Sequence, residues 1–259
     1  MKKIALITGA TSGIGEACAR RFALGGYNLI LTGRNLQRLE TLKSEFESEG
    51  TEVRLLHFDV RRLEDARVAV DSLEERWRDI DVLINNAGLA RGLEPAYEGS
   101  FDDWDEMIDT NVKGLLTMVR LIVPHMVERN RGHVINVGSV AGDAAYAGGN
   151  VYCATKAAVK TLTDGLRIDL VNTAVRVTNI KPGLVQTRFS NVRFHGDDAR
   201  ADKVYEGIQP LTGADIADVA FYAANAPEHV QIAEVLVLAT HQASGSVMSK
   251  DPTRKESLT

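Results

Sequence analysis

The feature that most constrains this chain is the repeated alternation of short apolar runs with longer segments of helical period. Residues 4–8, 29–32, 53–58, 82–84, 134–137, 175–180 and 235–238 are rich in β-branched and aliphatic side chains and read as strands. Most lack a polar residue at every second position, so both faces meet apolar neighbours, as in a parallel sheet covered by helices. Between them Leu36, Leu39, Leu42 and Phe46 recur at three- and four-residue spacing, as do Ala66, Val70, Leu73 and Trp77. Longer helical patterns span residues 101–129, where Pro124 is a place for a kink, and residues 151–171. This alternation implies one doubly wound α/β domain, with a seven-stranded parallel sheet, right-handed crossovers and helices on both faces.

At 259 residues the length suits a single such domain over residues 1–240. Segment 187–213 carries no clear element and is expected to be a substrate lid within that domain. Residues 241–259 are polar and are expected to form a tail that is mobile or docked on a neighbouring subunit. Thirty Lys and Arg against 35 Asp and Glu give a net charge of −5. That balance argues against nucleic acid as a partner, because a duplex-binding protein concentrates basic residues on one face. No apolar run approaches a membrane span, and the first one breaks at Thr8-Gly9, too early for a signal peptide. The two cysteines, Cys18 and Cys153, are too few for a disulfide scaffold or a Cys-rich zinc site. A cytoplasmic protein without a metal is therefore expected.

The first strand runs into Thr8-Gly9-Ala10-Thr11-Ser12-Gly13-Ile14-Gly15, followed by a helical pattern. A glycine-rich turn there lets backbone amides approach a pyrophosphate at the helix N-terminus. Gly9, Thr11, Ser12, Gly13, Ile14 and Gly15 are thus candidate cofactor residues, a purely structural turn being the alternative. The second strand ends Leu31-Thr32-Gly33-Arg34-Asn35. Dinucleotide folds place an acid near this point for a ribose 2′-hydroxyl, or an arginine for a 2′-phosphate. Arg34 with no acid favours NADP, and Arg38 one turn on could assist, although either could be a solvated surface arginine. Asp59-Val60 ends the third strand, where the carboxylate could meet an adenine amine or cap a helix. Asn86, Ala87 and Gly88 follow the fourth strand and leave room for the cofactor, while Asn85 reads equally as structural.

The fifth strand ends Val137-Gly138-Ser139, and Tyr152-Cys153-Ala154-Thr155-Lys156 opens a long helix. Tyr152 and Lys156, at i and i+4, share one helix face, and Ser139 stands at a strand's carboxyl end, where open α/β sheets bind ligands. A free phenol has a pKa of about 10. The Lys156 ammonium, together with the cofactor's positive ring, is expected to favour the phenolate and draw that value down. Cys153 points off this face and, like Cys18, reads as a small hydrophobe.

With Thr8-Gly9-x-x-x-Gly13-x-Gly15, Asn85-Asn86-Ala87-Gly88, Asn111, Ser139, Tyr152-x-x-x-Lys156 and Pro182-Gly183 in order, the chain resembles the short-chain dehydrogenase/reductases. The resemblance implies a Rossmann-type fold and hydride transfer between a nicotinamide and an alcohol or carbonyl carbon. It assigns Tyr152 to proton exchange, Ser139 to the substrate oxygen, and Asn111 to fixing Lys156 through a backbone carbonyl and a water. It also implies cofactor contacts from Tyr152, Lys156, Pro182, Gly183, Val185 and Thr187, and a homotetramer built on the helices at 101–129 and 151–171.

Residues 85–96, 105–111 and 189–198 more narrowly resemble the NADP-dependent 3-hydroxy acid dehydrogenases. That branch implies small acids as substrates: L-serine, L-allo-threonine, or 3-hydroxypropionate with malonic semialdehyde. A carboxylate calls for a nearby cation, and arginine suits it best. Arg193 is the first candidate and Arg188 the second, with pairing of Arg193 to Asp197 or Asp198 as the alternative. Arg91 is a third candidate, standing where the resemblance leads one to expect an aliphatic residue. Rival readings are a reductase of other ketones or 3-oxoacyl substrates, and a non-catalytic NADP-binding sensor.

Overall fold

The computed structural model describes residues 2–251. Among them, seven strands form one parallel sheet: β1 (Ile4–Ile7), β2 (Asn28–Gly33), β3 (Val53–His57), β4 (Val82–Asn85), β5 (Gly132–Val137), β6 (Val175–Pro182) and β7 (Glu234–Val237). Their order is β3-β2-β1-β4-β5-β6-β7, so β1 pairs with both β2 and β4, and the chain reverses direction across the sheet there. In such sheets the crevice above that reversal is the ligand site.

Two apolar layers explain the missing polar alternation. Ala5 and Ile7 of β1 face one layer and Ile4 and Leu6 the other. The first is covered by α1 (Gly13–Leu24) and α2 (Leu36–Ser48), with Phe22, Leu39, Leu42 and Phe46 all buried. The second is covered by α3 (Leu63–Asp71) and α4 (Glu75–Arg78), through Ala66 and Trp77. The helical pattern read through residues 66–77 is therefore two helices, broken at Ser72-Leu73-Glu74, with Leu73 and Trp77 still buried together.

The stretch 101–129 also departs from one regular helix. It comprises α5 (Phe101–Ile108), a π-helical turn (Asp109–Lys113) and α6 (Gly114–Glu128), and α6 continues past Pro124. The irregularity thus lies around Asn111, in keeping with the frequent placement of π-turns at functional sites. Then come α7 (Asn150–Asp169), α8 (Phe189–Arg193), α9 (Asp198–Asp202) and α10 (Gly213–Ala224), which packs against α1 through edge-on contact of Phe221 with Phe22. The lid segment thus holds two short helices. No helix among the described residues is long and apolar enough to cross a membrane.

Residues 241–251 correct the expected loose tail, since they fold back on their own subunit. Gln242 is buried and accepts at Oε1 from the Leu184 amide (2.8 Å), and the Asp251 amide donates to Gly207 O (2.7 Å). The remainder of that tail, residues 252–259, lies outside the described residues.

Candidate active site

Along the carboxyl ends of the strands runs a cleft of about 1060 Å³. One end is the glycine-rich turn. Gly9 and Gly13 have φ of +63° and +56°, values that favour glycine, and a Cβ on Gly15 would sit 2.3 Å from Gly9 O. Gly15 is thus a packing glycine, while Gly9, Thr11, Ser12, Gly13 and Ile14 line the cleft. Ser12 precedes α1 in extended conformation and makes no side-chain cap, which leaves the first amides of α1 available to an anion. Thr8, whose role no local spacing announces, ties this turn to the end of β4. Its Oγ1 accepts from the Asn86 and Ala87 amides (3.0 Å each), and Asn86 Nδ2 donates back to Thr8 O (2.9 Å). Asn85 is structural: its amide donates to Asn136 Oδ1 in the core (2.9 Å).

At the β2 end Arg34 lines the cleft, and its ion pairs among the described residues are long, 3.9 Å to Asp59 and 3.8 Å to Glu106. Its side chain is 58% exposed, so its fork of donors can turn to a ligand. Arg38 departs from the expectation. It lies outside the cleft lining, and its Nη2 donates to Glu16 Oε1 (2.6 Å). Asp59 and Val60 line the cleft, but the Asp59 carboxylate is gripped by Arg61, with Nη2 at 2.6 Å and the backbone amide at 3.0 Å. Burial pushes the Asp59 carboxyl up, and the Arg61 bonds outweigh it, holding the group below its ordinary range. Arg61 and Glu106 went unnoticed in the sequence because nothing in local spacing marks an ion pair across 45 residues.

At the other end the structure brings Ser139, Tyr152 and Lys156 together. Ser139 accepts at Oγ from the Ala141 amide (3.1 Å) and lies near enough to Tyr152 to favour its ionised form. Lys156 Nζ donates to Val137 O (2.8 Å) and lies 6.0 Å from the Tyr152 ring centre. Burial dominates both titrations. It pushes the Tyr152 phenol up, against Ser139 and the charge of Arg193, and pushes Lys156 down to about 8. In the protein alone, loss of water therefore sets the direction for the phenol, and the lowering expected from Lys156 would come with the cofactor's positive ring in place.

Asn111 sits behind this pair. It accepts from the Leu89 amide and donates to Leu89 O (2.8 Å each), and it also donates to Thr155 Oγ1 (3.0 Å). Thr155 in turn donates to Tyr152 O (2.8 Å), so Asn111 holds the α7 backbone at Tyr152 through the Thr155 hydroxyl. Cys153 is buried off this face, and burial pushes the Cys18 thiol up to about 12, which leaves it unreactive.

The lid closes the remaining side. Thr187 touches the glycine turn, since a Cβ on Gly13 would lie 3.2 Å from its Cβ. Pro182, Gly183, Val185, Thr187 and Arg188 all line the cleft. Phe189 packs edge-on against Tyr152 at 5.6 Å. Arg193 does not pair with Asp197 or Asp198. Its Nε donates to Gly92 O and its Nη2 to Tyr146 Oη (3.0 Å each), with Cζ 5.6 Å from the Tyr152 ring centre. Arg91 is held elsewhere, bonding Glu106 Oε2 (2.7 Å) and Val192 O.

The short chain dehydrogenase family model matches residues 3–198. The chain belongs to that family. It is 53% identical over 240 residues to the NADP-dependent 3-hydroxy acid dehydrogenase YdfG of Salmonella typhi, covering 92% of this chain and 96% of that protein. It is 44% identical over 244 residues to sulfoacetaldehyde reductase 2 of Chromohalobacter salexigens, covering 94% and 96%. Among solved structures, the closed form of serine dehydrogenase complexed with NADP+ superposes with a TM-score of 0.91 at 47% identity, covering 96% of this chain and 99% of that one.

Proposed function

We propose that this short-chain dehydrogenase transfers a hydride between NADP(H) and the alcohol or carbonyl carbon of short 3-hydroxy acids of the L-serine, L-allo-threonine and 3-hydroxypropionate/malonic semialdehyde type. The observation that carries the acid specificity is Arg193. Two of its donors are engaged by Gly92 and Tyr146, and among the described residues its Nη1 donates to none, while the guanidinium stands over the Tyr152 ring. A carboxylate bound there lies beside the reacting carbon, and the planar fork suits it. Arg188, on the same wall, is the second cation.

The cleft fits NADP: a Cβ-free cradle at Gly9 and Gly13, uncapped amides of α1, and Arg34 with its loose ion pairs for the 2′-phosphate. NADP, when bound, supplies or accepts the hydride. The chain's own part is positional and acid–base. Ser139 orients the substrate oxygen, and Tyr152 gives that oxygen a proton in reduction and takes it in oxidation. Burial keeps the phenol protonated at neutral pH, so reduction finds its proton in place while oxidation, which needs the phenol to take a proton, should quicken with rising pH.

The test is a rate panel with NADP+ and NAD+ on L-serine, L-allo-threonine, 3-hydroxypropionate and a neutral secondary alcohol, for the wild type and Arg193→Ala. We expect turnover of the acids with NADP+, and a rise in KM for serine of about 10- to 100-fold from losing a charge-assisted bond. The neutral alcohol should be indifferent to the substitution, and an equal loss on both sinks the assignment. Because a guanidinium also holds a sulfonate, sulfoacetaldehyde belongs in the reductive arm of the panel.

We further infer a homotetramer and a cytoplasmic location. Phe101 and Leu116 on α5 and α6, and Ile168 at the end of α7, are exposed apolar residues that subunit contacts would cover. Sedimentation giving a monomer would overturn the tetramer. Two free, buried cysteines are what a reducing compartment allows.

A further inference from the structure

Glu106, on α5, lies between the two ends of the cleft. Its Oε1 faces Arg61 at 3.4 Å and Arg34 at 3.8 Å, and its Oε2 takes the Arg91 Nε at 2.7 Å. Arg91 donates onward from Nη1 to Val192 O in the lid helix α8. The next residue, Arg193, clasps Gly92 in both directions: the Gly92 amide donates to Arg193 O, and Arg193 Nε donates to Gly92 O (3.0 Å each). One partly buried carboxylate thus joins the arginine read as the 2′-phosphate contact to the helix that carries the acid-binding arginine. Burial pushes the Glu106 carboxyl up, and Arg91, Arg61 and Arg34 together hold it below its ordinary range, so it is charged at neutral pH.

We propose that Glu106 and Arg91 couple occupancy of the 2′-phosphate subsite to the seating of α8, so that phosphate recognition also organises the acid-binding lid. This rests on the reading of Arg34 as the phosphate contact. A phosphate at Arg34 draws that guanidinium away from Glu106 Oε1 and repels the carboxylate itself. Both effects move the carboxylate towards Arg91, and the Arg91 bond to Val192 O then holds α8 more firmly. Coupling of this kind is reciprocal: a seated lid binds the phosphate more tightly. Glu106 and Arg91 are positioning residues here, since neither touches the reacting atoms.

The experiment follows amide hydrogen exchange over residues 189–196, without ligand, with 2′,5′-ADP and with 5′-AMP. The proteins are the wild type, Glu106→Gln and Arg91→Met. The two nucleotides differ only in the 2′-phosphate, and neither carries a nicotinamide, so the readout is independent of turnover. In the wild type, 2′,5′-ADP should slow exchange about two- to fivefold, the scale of one partly exposed ion pair strengthened, and 5′-AMP should not. Both variants should still bind 2′,5′-ADP, by calorimetry, yet lose that slowing. Equal slowing in all three proteins, slowing by 5′-AMP as well, or no slowing in the wild type despite binding overturns the coupling. If the wild type binds the two nucleotides equally, the Arg34 reading fails first and the coupling falls with it. The two variants cut the link on opposite sides of one ion pair, so a folding defect in either leaves the other to decide.

Discussion

The two ends of the cleft solve opposite electrostatic problems. Around Ser139, Tyr152 and Lys156 the groups are buried, their partners are mostly neutral oxygens, and desolvation sets both titrations. Around Arg34 the groups are partly exposed, and arginines and carboxylates form a lattice of Glu16–Arg38, Asp59–Arg61 and Glu106–Arg91 in which paired charge outweighs burial. Dryness keeps the phenol neutral, so it carries a proton when the substrate oxygen arrives. A phosphate site gains from a supply of cations held loosely enough to be redirected. The contrast makes the first end sensitive to single atoms and the second to total charge.

Tyr152→Phe is the sharpest way to break that comparison, since it deletes one oxygen at the dry end. Turnover should fall by about 10²–10⁴, the usual worth of a positioned acid–base group. NADP affinity, measured by fluorescence titration, should change by no more than about threefold on the scale of one lost neutral hydrogen bond. A parallel collapse in affinity would mean that Tyr152 serves chiefly to build the cleft.

Dryness at that end also carries a stability cost that can be read from pH. The unfolded chain keeps the Lys156 proton up to its ordinary value of 10.5, whereas the native protein releases it at about 8. Between those values the unfolded state binds more protons, so stability rises with pH from about 8 to 10.5, and below 8 the native state bears the full penalty. The penalty is on the order of 3 kcal/mol by linkage. Lys156→Met should therefore melt several degrees above the wild type at pH 7 in the absence of cofactor, while losing activity. The gap should narrow as pH climbs through the window. A variant that melts lower at every pH would show that the Val137 bond outweighs desolvation.

What could be read from sequence divides along the same line. The strands, the glycine turn and the Ser139–Tyr152–Lys156 set were legible because each depends on local order: a run, a turn, or an i, i+4 pair at a strand or helix end. The π-turn that places Asn111 was not, since its residues carry no composition that separates them from the helices on either side. Nor was the break at Ser72-Leu73-Glu74, because Leu73 and Trp77 keep helical spacing across it and are still buried. Arg61, Glu106 and Gln242 escaped for a further reason. Their partners are remote in sequence, and only tertiary contact gives them meaning. Arg38, whose spacing from Arg34 suits a phosphate, has its guanidinium engaged by Glu16 across the turn, a contact no local spacing announces.

Arg34→Ala tests the charged end at the next scale down. Removing a charge-assisted contact to phosphate should raise the KM for NADP+ about 10- to 100-fold, whereas that for NAD+ should hardly move. Equal effects on the two cofactors would place the phosphate on other residues, Arg61 foremost, since its guanidinium is on the same carboxylates.

The smallest expected effect separates the two ends without any mutation. Raising ionic strength from about 0.01 to 1 M shortens the Debye length from about 30 to 3 Å. That screens a 2′-phosphate meeting the half-exposed Arg34 and spares the buried Tyr152–Lys156 pair. The KM for NADP+ should rise severalfold across that range, with little change in kcat at saturating cofactor, and the KM for NAD+ should be nearly flat because NAD+ lacks the extra dianion. If kcat fell in step with cofactor affinity, salt would be acting at the dry end as well. The lattice through Glu106 would then be the path to examine, because its ion pairs to Arg91 and Arg61 are the ones that connect the exposed charges to the lid over Tyr152.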